Sequence, residues 1–123
     1  MASKWSNYPY LYANMSKGVV NINTDTPKDN IVDSVQNKFK KRSDEKIAFM
    51  HIDCDTYEST NDILNNIPIK HFQKGTIILL DDYISYYGWK DNVFKSFQEW
   101  VKKNNIKYTY QVFGKKSAQV ILS

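Results

Sequence analysis

The sequence predicts an α/β fold built on a mostly parallel β-sheet. Two apolar runs, residues 47–52 and 76–80, have the length of buried strands and are rich in Ile, Phe, Leu and Met. The segment between them is long enough for one helix, so the three form a β-α-β unit with the two strands side by side. Both runs end in acidic residues, which are Asp53 and Asp55 after the first run and Asp81 and Asp82 after the second.

The chain begins with a segment that shows no clean period. We therefore expect residues 1–28 to be an irregular N-terminal arm with a short strand near residues 19–22, and residues 29–123 to form the domain. Apolar spacing and turn signals predict this order of elements: a helix at 29–41, a strand at 46–53, a helix from Ser59 or Thr60 to about 67, a strand at 76–81, a helix at 89–104, and two strands at 107–113 and 117–122.

Composition excludes several classes of protein. At 123 residues the chain is one domain at most, and no apolar run has the length of a membrane-spanning helix. A polar N-terminus and a single cysteine, Cys54, indicate a cytoplasmic protein. The net charge of +4 is partly concentrated in residues 38–42, where we expect the lysines to be solvated rather than to bind nucleic acid.

The acidic residues that follow the two strands predict a metal site. Parallel strands place their carboxyl ends at one edge of the sheet, where open α/β sheets bind ligands. Asp53, Asp81 and Asp82, supported by Asp55, should converge there, and a divalent cation would relieve their repulsion. Their hard oxygen donors suit Mg²⁺ or Ca²⁺ rather than Zn²⁺. The alternative is that each aspartate is only a turn or capping residue, as is common after a strand.

Three motifs carry a family resemblance. His51 to Thr60 has the sequence HIDCDTYEST, residues 75–83 are GTIILLDDY, and a helix follows the GWK at 88–90. Over residues 46–122 the chain resembles the macrocin O-methyltransferase (TylF/MycF-type) family, which are class I S-adenosylmethionine-dependent methyltransferases. The resemblance implies a Rossmann-like methyltransferase half-fold, with sheet order 4-5-7-6 and an antiparallel last strand. It also implies metal-assisted methylation of a hydroxyl on a small acceptor, commonly a sugar, with S-adenosyl-L-methionine and Mg²⁺ as cofactors.

The resemblance also implies roles for individual residues. Asp53, Asp81 and Asp82 correspond to the metal ligands, and Asp53 is also placed at the cofactor and at, or beside, the general base. His51 shares a side of its strand with Asp53, so it could be a base or ligand, although a hydrogen-bonded core histidine is an open alternative. Asp55, Tyr83, Tyr86 and Tyr87 are candidates for substrate binding, while such tyrosines also serve as loop anchors.

The half of the family fold that binds the cofactor has no counterpart in the sequence. Its four glycines, Gly18, Gly75, Gly88 and Gly114, are scattered and form no G-x-G turn. We therefore expect the chain to correspond to the C-terminal half of such an enzyme, strands 4 to 7. The alternatives are a non-catalytic remnant and a subunit completed by another chain.

Strand 4 of this half-fold should have one unpaired edge, because strand 1 is missing beside it. The N-terminal arm should cover that edge, or two copies should pair there, or the chain should aggregate.

Overall fold

The computed structural model describes residues 10–23 and 28–123, with the side chains of Asn23, Lys28 and Asp29 outside the description. The elements in chain order are strands β1 (Tyr10–Met15) and β2 (Gly18–Asn23), helix α1 (Lys28–Lys40), strand β3 (Ile47–Asp53), helix α2 (Tyr57–Asn66), a 3₁₀ turn (Ile69–His71), strand β4 (Ile77–Leu80), a 3₁₀ turn (Trp89–Asp91), helix α3 (Val93–Lys103), and strands β5 (Tyr108–Phe113) and β6 (Ala118–Leu122).

The six strands form one mixed sheet in the order β2-β1-β3-β4-β6-β5. Only β3 and β4 are parallel neighbours, and the other four neighbouring pairs are antiparallel. The predicted fold class, a Rossmann-like half-fold with a mostly parallel sheet, is therefore wrong. The N-terminal hairpin explains the difference, because β1 and β2 add two antiparallel pairs that the prediction lacked, whereas the antiparallel last strand was expected.

The first hairpin covers the edge of β3 that the sequence left open. β1 pairs antiparallel with β3, with Tyr10 opposite Asp53 and Ala13 opposite Met50, and a bulge interrupts the register near Met15. Of the three outcomes expected for this edge, the structure shows the first, in which the N-terminal arm covers it. The strand expected near residues 19–22 lies within β2, whereas β1 was not predicted.

The sheet and the helices form two layers. Side chains on one face of the strands, such as Leu11, Met50, Ile52, Leu80 and Val120, are completely buried. Their neighbours along each strand point to the other face and are only half-buried or exposed. The three helices contact one another in the order α1-α2-α3, and the core lies between them and the buried face.

Two helices begin at residues other than those predicted. The hydroxyl of Thr56 accepts a hydrogen bond from the Ser59 amide at 3.2 Å, so Thr56 rather than Ser59 or Thr60 caps α2. Helix α3 begins at Val93, since a separate 3₁₀ turn occupies residues 89–91. None of the helices in the described ranges is long and apolar enough to cross a membrane.

Long cationic side chains contact the outer edge of the sheet at β2. Lys38 Nζ, in the last turn of α1, donates to the carbonyl oxygen of Asn21 at 2.7 Å. The guanidinium of Arg42 donates to the carbonyl oxygen of Val19 at 3.5 Å and to the carboxylate of Glu45 at 3.2 Å. The outward carbonyls of this edge strand therefore have donors from the same chain.

Candidate metal centre

The candidate centre lies where β3 and β4 end. Asp53 is the last residue of β3, and the chain then turns through Asp55 to the cap of α2. The Thr56 amide donates to the carbonyl of Cys54 at 2.7 Å and tightens this turn. The Asp81 amide donates to the carbonyl of Ile52 at 3.0 Å, which extends the parallel pairing and places the two acidic segments side by side.

Three carboxylates converge at this edge. Asp53, Asp55 and Asp82 each offer an oxygen atom, and these atoms all lie within 4.8 Å of one another. The cluster contains two of the three residues that the resemblance assigns to the metal. It also contains Asp55, which we expected to support the acidic cluster and named as a candidate for substrate binding. The D-x-D spacing of Asp53 and Asp55 was the available sequence signal for this ligand.

Two members of the cluster have an unusual backbone conformation. Asp55 has φ of 66° and Asp82 has φ of 50°, and only two other non-glycine residues in the described ranges, Ser85 and Asn105, have positive φ. The left-handed region is unfavourable for residues with a Cβ, although aspartate tolerates it better than most. Such conformations cluster at functional sites, where the surrounding structure holds them.

The carboxylates perturb one another because they are close and partly desolvated. Burial raises the pKa of Asp53 above its usual range, and the neighbouring Asp81 charge raises it further. The side chain of Asp55 is exposed as a whole, yet desolvation of its carboxyl, a hydrogen bond to Asp82 and the charge of Asp53 together raise its pKa to about 7. In the metal-free protein, Asp55 therefore keeps its protonated form to a higher pH than a free aspartate does, and a bound cation would favour the ionised form.

His51 and Asp81 form a second arrangement beside the cluster. The Nε2 atom of His51 contacts Oδ2 of Asp81, and its Nδ1 atom lies 2.7 Å from the hydroxyl of Tyr10. Because a carboxylate only accepts hydrogen bonds, Nε2 donates to Asp81, and in a neutral ring Nδ1 then accepts from Tyr10. Burial raises the pKa of Tyr10 to about 12, with the Asp53 and Asp81 charges contributing. Asp81 therefore orients His51 rather than joining the three carboxylates.

The three candidate tyrosines occupy different environments. Tyr83 is completely buried, and its hydroxyl is hydrogen-bonded to that of Tyr110 at 2.6 Å, so its side chain belongs to the core rather than to a substrate surface. Tyr86 is partly buried and donates to the Asp82 carbonyl at 2.7 Å, which secures the loop that carries this ligand. Tyr87 is fully exposed and remains accessible to a ligand.

The two cofactors implied by the resemblance fit this chain differently. Three carboxylates are a suitable donor set for Mg²⁺, so the residues present fit the cation. They do not fit S-adenosylmethionine, since Gly18, Gly75 and Gly88 lie in separate turns and β1 occupies the edge of β3 that the resemblance gives to strand 1. We therefore propose no contact between S-adenosylmethionine and the described residues.

Comparisons with protein-family models, curated proteins and solved structures gave no match. The functional interpretation accordingly rests on the motifs of this sequence and on the geometry of the carboxylates. The strongest single feature is the convergence of Asp53, Asp55 and Asp82 from two separate loops.

Proposed function

We propose that Asp53, Asp55 and Asp82 bind a divalent cation, with Mg²⁺ as the preferred ion. The observation that carries this proposal is the distance of at most 4.8 Å between their oxygen atoms. The positive φ of Asp55 and Asp82 supports it, because holding two carboxylates in such a conformation beside a third has a free-energy cost that a ligand would offset.

The activity that we propose for this site is metal-assisted O-methylation of a small hydroxyl acceptor such as a sugar, with the methyl group supplied by S-adenosyl-L-methionine held outside the described residues. This part of the proposal rests on the HIDCDTYEST and GTIILLDDY motifs. A bound cation would stabilise the oxyanion of the acceptor as a Lewis acid. We also propose a cytoplasmic location, since the sequence has a single cysteine, Cys54, and so cannot form a disulfide within the chain.

The chain's own residues would position the acceptor and receive its proton. Asp81 and Tyr10 hold the His51 ring from opposite sides, so the ring has one tautomer and one orientation beside Asp53. With Nε2 donating to Asp81, the basic nitrogen is Nδ1, and it faces the Tyr10 hydroxyl. A proton from an acceptor would therefore reach His51 by way of Tyr10, or directly if Tyr10 turned aside.

A second candidate is a cation-binding protein without catalytic activity, and one structural observation favours it. The β1–β2 hairpin closes the edge of β3 on which a cofactor-binding half would continue the sheet. If another chain supplied the cofactor-binding half, that chain would have to bind at a place other than the edge of β3, or it would have to displace β1. The experiment below separates the catalytic and non-catalytic proposals.

Calorimetric titration of the whole chain with Mg²⁺ tests the cation site. We expect binding, and we expect Asp82→Asn to weaken it at least about tenfold because one ligand charge is lost. Asp33→Asn is the matched control, since Asp33 is exposed on α1, away from the cluster. Absence of binding by Mg²⁺, Mn²⁺ and Ca²⁺ would refute the site.

A second titration, with S-adenosylmethionine in the presence and absence of Mg²⁺, tests the activity. Binding of S-adenosylmethionine that depends on Mg²⁺ would support the methyltransferase proposal. Cation binding without any S-adenosylmethionine binding would favour the non-catalytic candidate.

A further inference from the structure

Strand β5 (Tyr108–Phe113) lies at the end of the sheet and pairs with β6 on one side only. Its other side is a row of backbone N–H and C=O groups that point away from the sheet, and we call this side the open edge. Within the described ranges, no side chain forms a hydrogen bond with the backbone of β5. The opposite edge strand differs, because carbonyls of β2 accept hydrogen bonds from Lys38 and Arg42. The sheet therefore has one edge with donors from its own chain and one edge without them.

The side chains of β5 offer apolar contacts beside the open edge. The strand has the sequence YTYQVF, with no charged residue and no proline, and Val112 and Phe113 are each 54% exposed. The ring of Tyr110 lies 5.3 Å from that of Tyr108 and 5.0 Å from that of Phe113. All three aromatic residues are opposite buried residues of β6, so they form one row on the side of the helices. A strand added at this edge would place alternate side chains against that row.

The positive charge of the chain is concentrated around this strand. Residues 100–123 contain five lysines and no acidic residue, which is more positive charge than the net +4 of the whole chain. Lys107 precedes β5, Lys115 and Lys116 follow it, and all three are exposed. None of these three side chains has an ion-pair or hydrogen-bond partner among the residues that the structure describes. Their charges are therefore available to a partner at both ends of the open edge.

We propose that the open edge binds an acidic peptide segment of another protein, which adds to β5 as a short extra strand. Backbone hydrogen bonds to the open edge hold such a segment, and its apolar side chains pack on the aromatic row. Acidic residues at both ends of the segment pair with the flanking lysines. A second copy of β5 fits this edge less well, since pairing in either direction brings the lysines of the two copies together.

A bulge in β5 limits the length of the added strand and the strength of binding. Tyr110 is opposite Val120 and Val112 is opposite Gln119, so Gln111 is an extra residue without a partner in β6. A bulge bends and twists its strand, which opposes pairing with a long straight strand. We therefore expect a short segment and a transient complex, with a dissociation constant of roughly 10–100 μM. The proposal does not depend on the proposed function, and a chelator in every experiment below keeps the two apart.

Fluorescence anisotropy of a labelled synthetic peptide with the whole chain tests the binding. The probe has valine and threonine in alternation, with two glutamates at each end. We expect saturable binding that weakens as salt is raised. The double variant Lys115→Glu and Lys116→Glu should weaken it at least about tenfold. Lys40→Glu with Lys41→Glu makes the same change of charge at the exposed end of α1 and should change the affinity by less than about twofold.

Methylation of the probe's backbone tests strand addition without altering the protein. In an added strand, the amides of alternate residues face β5 and the others face solvent. Two versions of the probe carry N-methyl groups on the two alternate sets of amides. We expect one version to lose binding and the other to keep it. Because the protein is unchanged, this comparison decides the matter even if the lysine variants fail to fold.

Amide hydrogen exchange locates the bound peptide. We expect slower exchange within β5 when the probe is present and no change within β2, the other edge strand. Absence of binding at millimolar probe would overturn the proposal, as would equal affinity of the two methylated versions or binding that leaves exchange in β5 unchanged. Tighter binding of a single-stranded oligonucleotide through the same lysines would replace it with a nucleic-acid site.

Discussion

Asp55 and Asp82 belong to two separate loops, yet both have a left-handed backbone and both present a carboxylate oxygen to Asp53. The side-chain charge and the backbone conformation are two distinct contributions to the free energy of this edge. Charge repulsion disappears when a carboxylate becomes an amide, whereas the backbone cost remains. Substitutions can therefore separate the two contributions.

We expect Asp82→Asn to be more stable than Asp82→Ala by about 1 kcal/mol, because asparagine tolerates positive φ and alanine does not. Urea unfolding in the presence of a chelator measures both variants. The same pair of substitutions at Asp33, inside α1, is the control, and there alanine should be the more stable residue because it favours helix. An identical ranking at the two positions would contradict the backbone argument.

The stability of the metal-free protein should fall as the pH rises from about 4 to about 7, between the unfolded and folded pKa values of Asp55. The pKa of Asp55 is raised from 3.8 to about 7 in the folded chain. The stabilising contribution of its protonated form is complete below the unfolded pKa and is lost as the pH passes the folded pKa. Thermal unfolding with a chelator should show this slope, and Asp55→Asn should flatten it while Asp33→Asn leaves it unchanged. The slope should be shallow, since the side chain is exposed and screened.

Ala13→Pro should destabilise the chain by about 3 kcal/mol or more and promote aggregation. Ala13 is completely buried in β1, which has paired strands on both sides, so proline would remove a ladder hydrogen bond there. The unpaired edge of β3 would then be open to other chains. Val19→Thr on exposed β2 is the control, with an expected change within about 0.5 kcal/mol. Denaturant unfolding and light scattering measure the two effects.

Tyr83 should matter for stability and not for cation binding. Tyr83→Phe removes the hydrogen bonds to Tyr110 and Gln98 and should cost about 1 kcal/mol. Tyr83→Ala should cost about 3–5 kcal/mol because it leaves a cavity in the core. The fully exposed Tyr87 is the control, and Tyr87→Ala should change stability by less than about 0.5 kcal/mol. A loss of Mg²⁺ affinity in Tyr83→Phe would contradict this assignment.

The sequence predicted those helices and strands that can be recognised from the apolar pattern and turn signals of their own segment. The apolar runs that became β3 and β4 were bounded by turn signals, and their parallel pairing followed from the helix between them. The order of the last four strands in the structure, β3-β4-β6-β5, also corresponds to the expected order. The predicted fold class failed because it took no account of β1. In its YLYANM sequence, Tyr10 and Tyr12 alternate with the buried Leu11 and Ala13, and these large tyrosines obscure the polar–apolar alternation of a strand.

The candidate site was predictable in its location and less so in its composition. Asp53 and Asp82 converge because their strands are neighbours, which the β-α-β unit already required. The sequence indicated Asp55 only as a support of the cluster, since its place among the ligands depends on a left-handed turn before α2. Nor could it show that Asp81 contacts His51, because that contact depends on the register between two strands.

The hydrogen bond from Lys38 to the carbonyl of Asn21 limits how this protein can polymerise. An edge strand with unoccupied carbonyls is a template on which further strands can add without end, as they do in a fibril. On β2, incoming backbone amides would have to displace a charged donor already in place at 2.7 Å. Acetylation of Lys38 would remove that donor's charge and leave Arg42 as the charged donor on this edge, so a change of one side chain would lower the barrier to further strand addition.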